Sequence, residues 1–84
     1  MEIQAIWQNP KDSVVTVTKE VRPGDVVLYE GGRLTAEDFI PQWHKIALVD
    51  LPVGTIVYKY GEEIGKTTSF VMRCSKVHNL IKPH

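Results

Sequence analysis

The sequence predicts an all-β fold of short strands joined by turns, and three observations carry the prediction. β-Branched residues dominate five runs of about five residues each, and Gly, Pro, Asp or Asn bounds them. One turn-and-strand frame also recurs along the chain. At 84 residues the chain is expected to form one domain spanning residues 1–84, because below roughly 100 residues there is too little interior for two cores.

The runs are Val14-Val15-Thr16-Val17-Thr18, Val26-Val27-Leu28-Tyr29, Ile46-Ala47-Leu48-Val49, Thr55-Ile56-Val57-Tyr58-Lys59-Tyr60 and Thr67-Thr68-Ser69-Phe70-Val71-Met72. Between the second and third, Thr35-Ala36-Glu37-Asp38-Phe39-Ile40 opens on a capping Thr and carries acids where a helix N-terminus favours them, but Pro41 limits it. At most one short helical turn, or a loop, is expected there. After the fourth run, Gly61 and Gly65 are read as framing a turn at Glu62-Glu63-Ile64.

The recurring frame is apolar, two residues, Gly, two residues, Val. It appears at Val21–Val27 and thirty positions later at Leu51–Val57, each time placing Gly where a turn would need positive φ before a β-branched strand. Ile40–Ile46 has the same frame with Trp43 in the Gly position. These read as similar turn-and-strand units built into one compact barrel or clip.

Composition removes several function classes. Ten basic residues balance ten acidic ones, so the cationic excess that draws proteins to nucleic-acid phosphates is missing. Cys74 is the only cysteine. An internal disulfide and a Cys-paired zinc site are therefore excluded, and a reducing, cytoplasmic setting is expected. No apolar run approaches the roughly 18 residues that span a bilayer, and the N-terminus MEIQAIWQNPKDS lacks a signal-peptide core.

The polar residues with chemical potential cluster in IPQWHKIALVDLPVGTIVYKYGEEIG, residues 40–65. His44 and Lys45 open a strand, so their side chains point to opposite faces. On composition alone Lys45 is a solvated edge residue, His44 a hydrogen-bonded one, and Lys59-Tyr60-Gly61 the end of a tight hairpin or a ligand site. Three histidines, His44, His78 and His84, lack the spacing of a metal site. The adjacent acids Glu62-Glu63 and Glu37-Asp38 alternate in direction as solvated turn residues do. Arg73 and Lys76 flank Cys74, yet an inert, partly buried thiol is the commoner case. No phosphate-cradling loop and no nucleophile elbow is present.

The spacing IP..HKIAL.D...G..V.KYGE.IG resembles the SAF-type N-terminal domain of the dehydratases that act on altronate and galactarate, a β-clip fold. The resemblance extends more loosely over nearly the whole chain. Asn9-Pro10-Lys11-Asp12-Ser13-Val14 is similar to the family's opening His-Pro-x-Asp-Asn-Val, and His78-Asn79 to its closing His-x-His-Asn. The resemblance implies a small β-clip-like domain serving as the small subunit or N-terminal domain of a sugar-acid hydro-lyase. A large dehydratase subunit would be its partner, and a divalent metal ion would be held mainly by that subunit. The small subunit of sulfolactate sulfo-lyase is a similarly short relative, and the resemblance also admits the small subunit of a sulfolactate sulfo-lyase-like enzyme as an alternative.

Carried over by position, His44 and His78 become candidate catalytic residues. Lys45, Lys59, Tyr60, Gly61 and Asn79 become candidate substrate-binding residues, with no metal ligand assigned on this chain. The lysines would neutralise the carboxylate of a small sugar acid, and a histidine would donate a proton to the departing hydroxyl. The chain departs from the family pattern where Asn9 replaces a His, Trp43 a Gly and Lys76 a His, and the last turn, Phe70–Ser75, lacks the usual Gly-Glu pair. Two other readings remain open. One is a non-catalytic module that binds a carboxylated sugar or a protein; the other is a structural β-domain whose Trp43, Tyr58 and Tyr60 form a core and a homo-oligomer interface.

Overall fold

The computed structural model describes residues 1–77 and the backbone of Leu80 and Ile81. It is all-β, as the sequence predicts. Its strands are β1 Glu2–Ile6, β2 Val14–Val17, β3 Val26–Tyr29, β4 Gly32–Thr35, β5 Lys45–Ala47, β6 Ile56–Lys59, β7 Glu62–Thr67, β8 Lys76–Val77 and β9 Leu80–Ile81. Six strands form one curled sheet in the order β4-β3-β1-β2-β5-β8, and three form a second in the order β6-β7-β9. No helix among the described residues is long and apolar enough to cross a membrane.

The repeat is deeper than the sequence reveals, because four turns share one geometry. Arg22–Asp25, Pro41–His44, Pro52–Thr55 and Met72–Ser75 are each closed by an N–H donated from the fourth residue to the first carbonyl, at 3.0, 3.1, 3.1 and 3.1 Å. The third residue of each has positive φ: Gly24 92°, Trp43 68°, Gly54 84° and Cys74 72°. That is the signature of a type II turn. Three residues before and after these positions stand the pairs Val21 and Val27, Ile40 and Ile46, Leu51 and Val57, and Val71 and Val77, all buried. The fourth unit escapes the sequence reading because Cys74 stands where Gly is expected.

The backbone bonds around these units also recur. Gly24 N–H donates to Ala36 as Gly54 N–H does to Thr67, and Trp43 N–H donates to Val17 as Cys74 N–H does to Ala47. The offset is thirty residues from Gly24 to Gly54 and thirty-one from Ala36 to Thr67. The added residue is Ile64: pairing in β6/β7 jumps from Val57 opposite Gly65 to Tyr58 opposite Glu63, a β-bulge. The fold is thus two copies of one turn-hairpin-turn segment.

The interior has two parts with β2 and β5 as the shared wall. Val15, Val17 and Ile46 pack on one side with Ile3, Val27 and Ile40, while Val14 and Ala47 pack on the other with Leu51, Val57 and Val77. Burial on both faces explains why β2 reads as an unbroken β-branched run.

Residues 37 and 38 form a bend, the loop alternative of the sequence reading, since Thr35 is still paired in β4. Two local expectations are corrected. Glu62 to Ile64 belong to β7, because the turn is completed earlier by Tyr60 and Gly61. Of the run Thr67–Met72 only Thr67 is in a strand; Val71 makes an isolated bridge to Leu51 as the first residue of the fourth unit.

Candidate functional site

The site is built on the wall face shared by β2 and β5 and on the tip of the β6–β7 hairpin. Pairing sets Ile6 beside Thr16, Thr16 beside Lys45, and Lys45 beside Val77. These four residues form one row across β1, β2, β5 and β8, and residues directly opposite in neighbouring strands share a face. Val14 precedes Thr16 at even spacing in β2 and continues that face, and Asp12 lies just before the strand.

The hairpin tip is held by Asp12. Its carboxylate is 5 % exposed and accepts the Tyr60 N–H at 2.8 Å on Oδ2 and the Gly61 N–H at 2.9 Å on Oδ1. Tyr60 and Gly61 both have positive φ, 56° and 79°, as a two-residue type I′ hairpin loop requires. Tyrosine enters that region at a cost, and the two charge-assisted bonds offset it. Asp12 is itself fixed by a turn in which its N–H donates to the Asn9 carbonyl at 2.9 Å, while its own carbonyl accepts the Trp7 indole N–H at 3.1 Å. Asn9 closes against the tip so tightly that a Cβ on Gly61 would lie 2.5 Å from Asn9 Nδ2.

This clamp fixes the end of β6, where Lys59 stands. Lys59 Nζ lies 5.1 Å from the Tyr60 ring centroid, within cation–π range. Lys45 is half-buried, and burial first, then repulsion from Lys59, holds its ammonium below the ordinary lysine value of 10.5. Neither lysine has a carboxylate within ion-pair distance among the described residues. The unfolded chain binds the Lys45 proton more tightly than the folded one, so this group's contribution to stability rises as pH climbs through its folded value towards 10.5. Lys59→Met is expected to move the Lys45 titration upward, read from its side-chain Cε resonance. An unmoved midpoint would show that Lys59 does not reach it.

The structure therefore sets Lys59, Tyr60 and Gly61 together at the hairpin tip, with Lys45 within reach of the Lys59 charge. His44 is not in this group. It closes the Pro41–His44 turn, its side chain is exposed, and strand alternation turns it away from the Lys45 face. Trp43 beside it is 59 % exposed. His78 and Asn79 lie outside the described residues, as does His84. Sequence reasoning placed Asp12 in the opening motif without giving it a role, and read Thr16 only as a strand former. Two surface depressions, one lined by Trp7, Gln8, Asn9, Pro10 and Glu30 and the other by Met1, Glu20, Arg22 and Asp25, lie apart from the lysines.

The described residues do not fit a divalent metal ion. No three His, Cys, Asp or Glu side chains converge among them, and both oxygens of Asp12, the buried carboxylate, are committed to backbone N–H groups. What the arrangement suits is an anion, with two ammoniums that form no ion pair among the described residues, although the register sets Glu62 opposite Lys59 across the hairpin.

A family model described as the altronate/galactarate dehydratase SAF domain matches residues 3–81. No curated protein matches the chain.

Proposed function

The chain belongs to the altronate/galactarate dehydratase SAF domain family, and from that membership we propose that it acts as the small subunit or N-terminal domain of a sugar-acid hydro-lyase. Its part is to hold the carboxylate of the acid in a cleft that a large dehydratase subunit completes. The observation that supports this reading is the pair Lys45 and Lys59, which repel one another, with Lys59 beside the Asp12-held hairpin tip and neither lysine in an ion pair among the described residues.

The chemistry assigns the work as follows. Removing water from a hydroxy acid takes a proton from the carbon beside the carboxylate and expels a hydroxyl from the next carbon, so negative charge builds on the carboxylate as an enediolate. Lys45 and Lys59 bind that carboxylate and stabilise the added charge, and the rigid Tyr60-Gly61 turn keeps Lys59 in place. A divalent ion, whose ligands would come from the large subunit, would supply Lewis-acid stabilisation of the same charge. His78 and Asn79 keep the proton-donating and substrate-binding roles implied by the family's closing motif; His44, turned away, is given no step. A cytoplasmic setting suits the single thiol, Cys74.

Reconstitution with the large dehydratase subunit, followed by assay on altronate and galactarate, tests the proposal. Turnover is expected only in the assembled enzyme, and Lys59→Ala should lower kcat/KM at least about tenfold, the loss of one charge-assisted contact. Unchanged kinetics in Lys59→Ala would remove this lysine from the site. The second reading, a module that binds a carboxylate without catalysis, is favoured by the outward-facing His44; acid binding without turnover in the assembled complex would select it.

A further inference from the structure

Thr16 is the one polar residue on the Lys45 face that the reading above leaves without a task. It is 4 % exposed, and its hydroxyl Oγ1 is fully buried without a hydrogen-bond partner among the described residues. Buried polar groups are almost always satisfied, and an orphan in a well-packed strand calls for a cause. The residue directly opposite is Lys45. Thr16 is thus flanked on its own face by Ile6 and Lys45 across the strands and by Val14 along β2. Of these, Lys45 alone has a long flexible stem, so it is the flanking side chain that can move onto a bound anion without moving backbone. Ser13, the other residue with an orphaned buried hydroxyl, stands at odd spacing from Thr16 and belongs to the opposite face.

We infer that Thr16 is a specificity-determining residue: its hydroxyl pairs with the 2-hydroxyl of a 2-hydroxy carboxylate whose carboxylate lies on Lys45 and Lys59. This rests on the carboxylate-binding reading above and adds two things to it. The chain binds such an acid by itself, before any partner is present, and it separates hydroxylated from plain carboxylates at a residue that neither catalyses nor carries charge. A ligand with a carboxylate and a hydroxyl on adjacent carbons satisfies both lysines and the orphan together, whereas a plain carboxylate leaves the orphan unmet.

The test uses the full chain alone, titrated with lactate and with propionate, which differ by the 2-hydroxyl, and followed through backbone amides and the Lys45 and Lys59 side chains by NMR. Lactate is expected to bind about threefold to tenfold more tightly than propionate, the worth of one hydrogen bond. Thr16→Val is close to isosteric and removes only the orphan, so its Tm should be equal to or above that of the parent, while the preference for lactate disappears. Thr16→Ser should retain the preference. Equal affinity for the two acids in the parent chain, binding of neither, or a preference that survives Thr16→Val would each overturn the inference. Discrimination by the chain alone, coupled with no turnover in the assembled complex, would sink the hydro-lyase proposal and leave this one standing.

Discussion

Replacing Asp12 by Ala is expected to destabilise the chain by about 3 kcal/mol, the loss of two hydrogen bonds to a charged acceptor. For a domain of this size that is a fall of roughly 12–24 °C in Tm. The effect is large because one side chain closes a contact between segments 48 and 49 residues apart. Without it, the Tyr60 and Gly61 N–H groups lose their acceptor, and nothing offsets the positive φ of Tyr60. Asp12→Asn should fall between the two, since it keeps one acceptor oxygen and turns an N–H donor toward another donor. Urea denaturation at constant m gives the number. A second readout separates local from global damage: as the tip loosens, Lys59 leaves Lys45, and the Lys45 titration moves up towards 10.5. A loss below about 1 kcal/mol, or an unmoved Lys45, would mean that the carboxylate does not hold the tip.

Gly61→Ala is expected to cost about 2–4 kcal/mol, from two separable sources. The first is conformational, since φ of 79° disfavours any Cβ by about 1 kcal/mol or more. The second is contact: the new methyl would meet Asn9 Nδ2 at 2.5 Å and Cγ at 3.1 Å, and overpacking of this kind costs about 1–3 kcal/mol. Gly24→Ala supplies the control. Gly24 has a similar φ of 92° with nothing within 4 Å of a Cβ, so it should show the conformational part alone. Adding Asn9→Ala to Gly61→Ala should recover the contact part, a coupling that a double-mutant cycle measures. Equal losses for Gly61→Ala and Gly24→Ala would show that Asn9 yields freely.

How much of this was legible in the sequence depends on what fixed each element. β2 and β3 were readable because Val14–Val17 and Val26–Tyr29 are β-branched, aromatic or leucine throughout and bounded by turn residues. β1, β4 and β7 were not. Glu2–Ile6, Gly32–Thr35 and Glu62–Thr67 carry charged residues or glycine, and they are strands because a distant partner pairs with them, which no local pattern records. The turn frame was visible at Gly24 and Gly54 and inferable at Trp43, but at Cys74 the left-handed conformation is imposed by the repeat against the preference of the residue. The same division holds at the site. Lys45, Lys59, Tyr60 and Gly61 could be named from residue type and family spacing. That His44 faces away from Lys45 was also readable, from strand alternation; that Asp12 clamps two of them and that Thr16 stands across from a third are consequences of register, which only the folded chain shows.

The position of β1 bears on the order in which the chain assembles. Its first half pairs in parallel with β3, Glu2 to Val26 and Ile3 to Val27, and its second half pairs antiparallel with β2, Ala5 to Val17 and Ile6 to Thr16. It is a clasp joining what would otherwise be separate ribbons, β4–β3 and β2–β5–β8. On a ribosome this segment is made before either of its partners, so Ile3, which ends fully buried, is exposed until Val27 has left the exit tunnel. Closure over such separations is slow compared with hairpin formation. The segment EIQAIW is therefore where a nascent or destabilised chain first offers itself to a chaperone or to another copy.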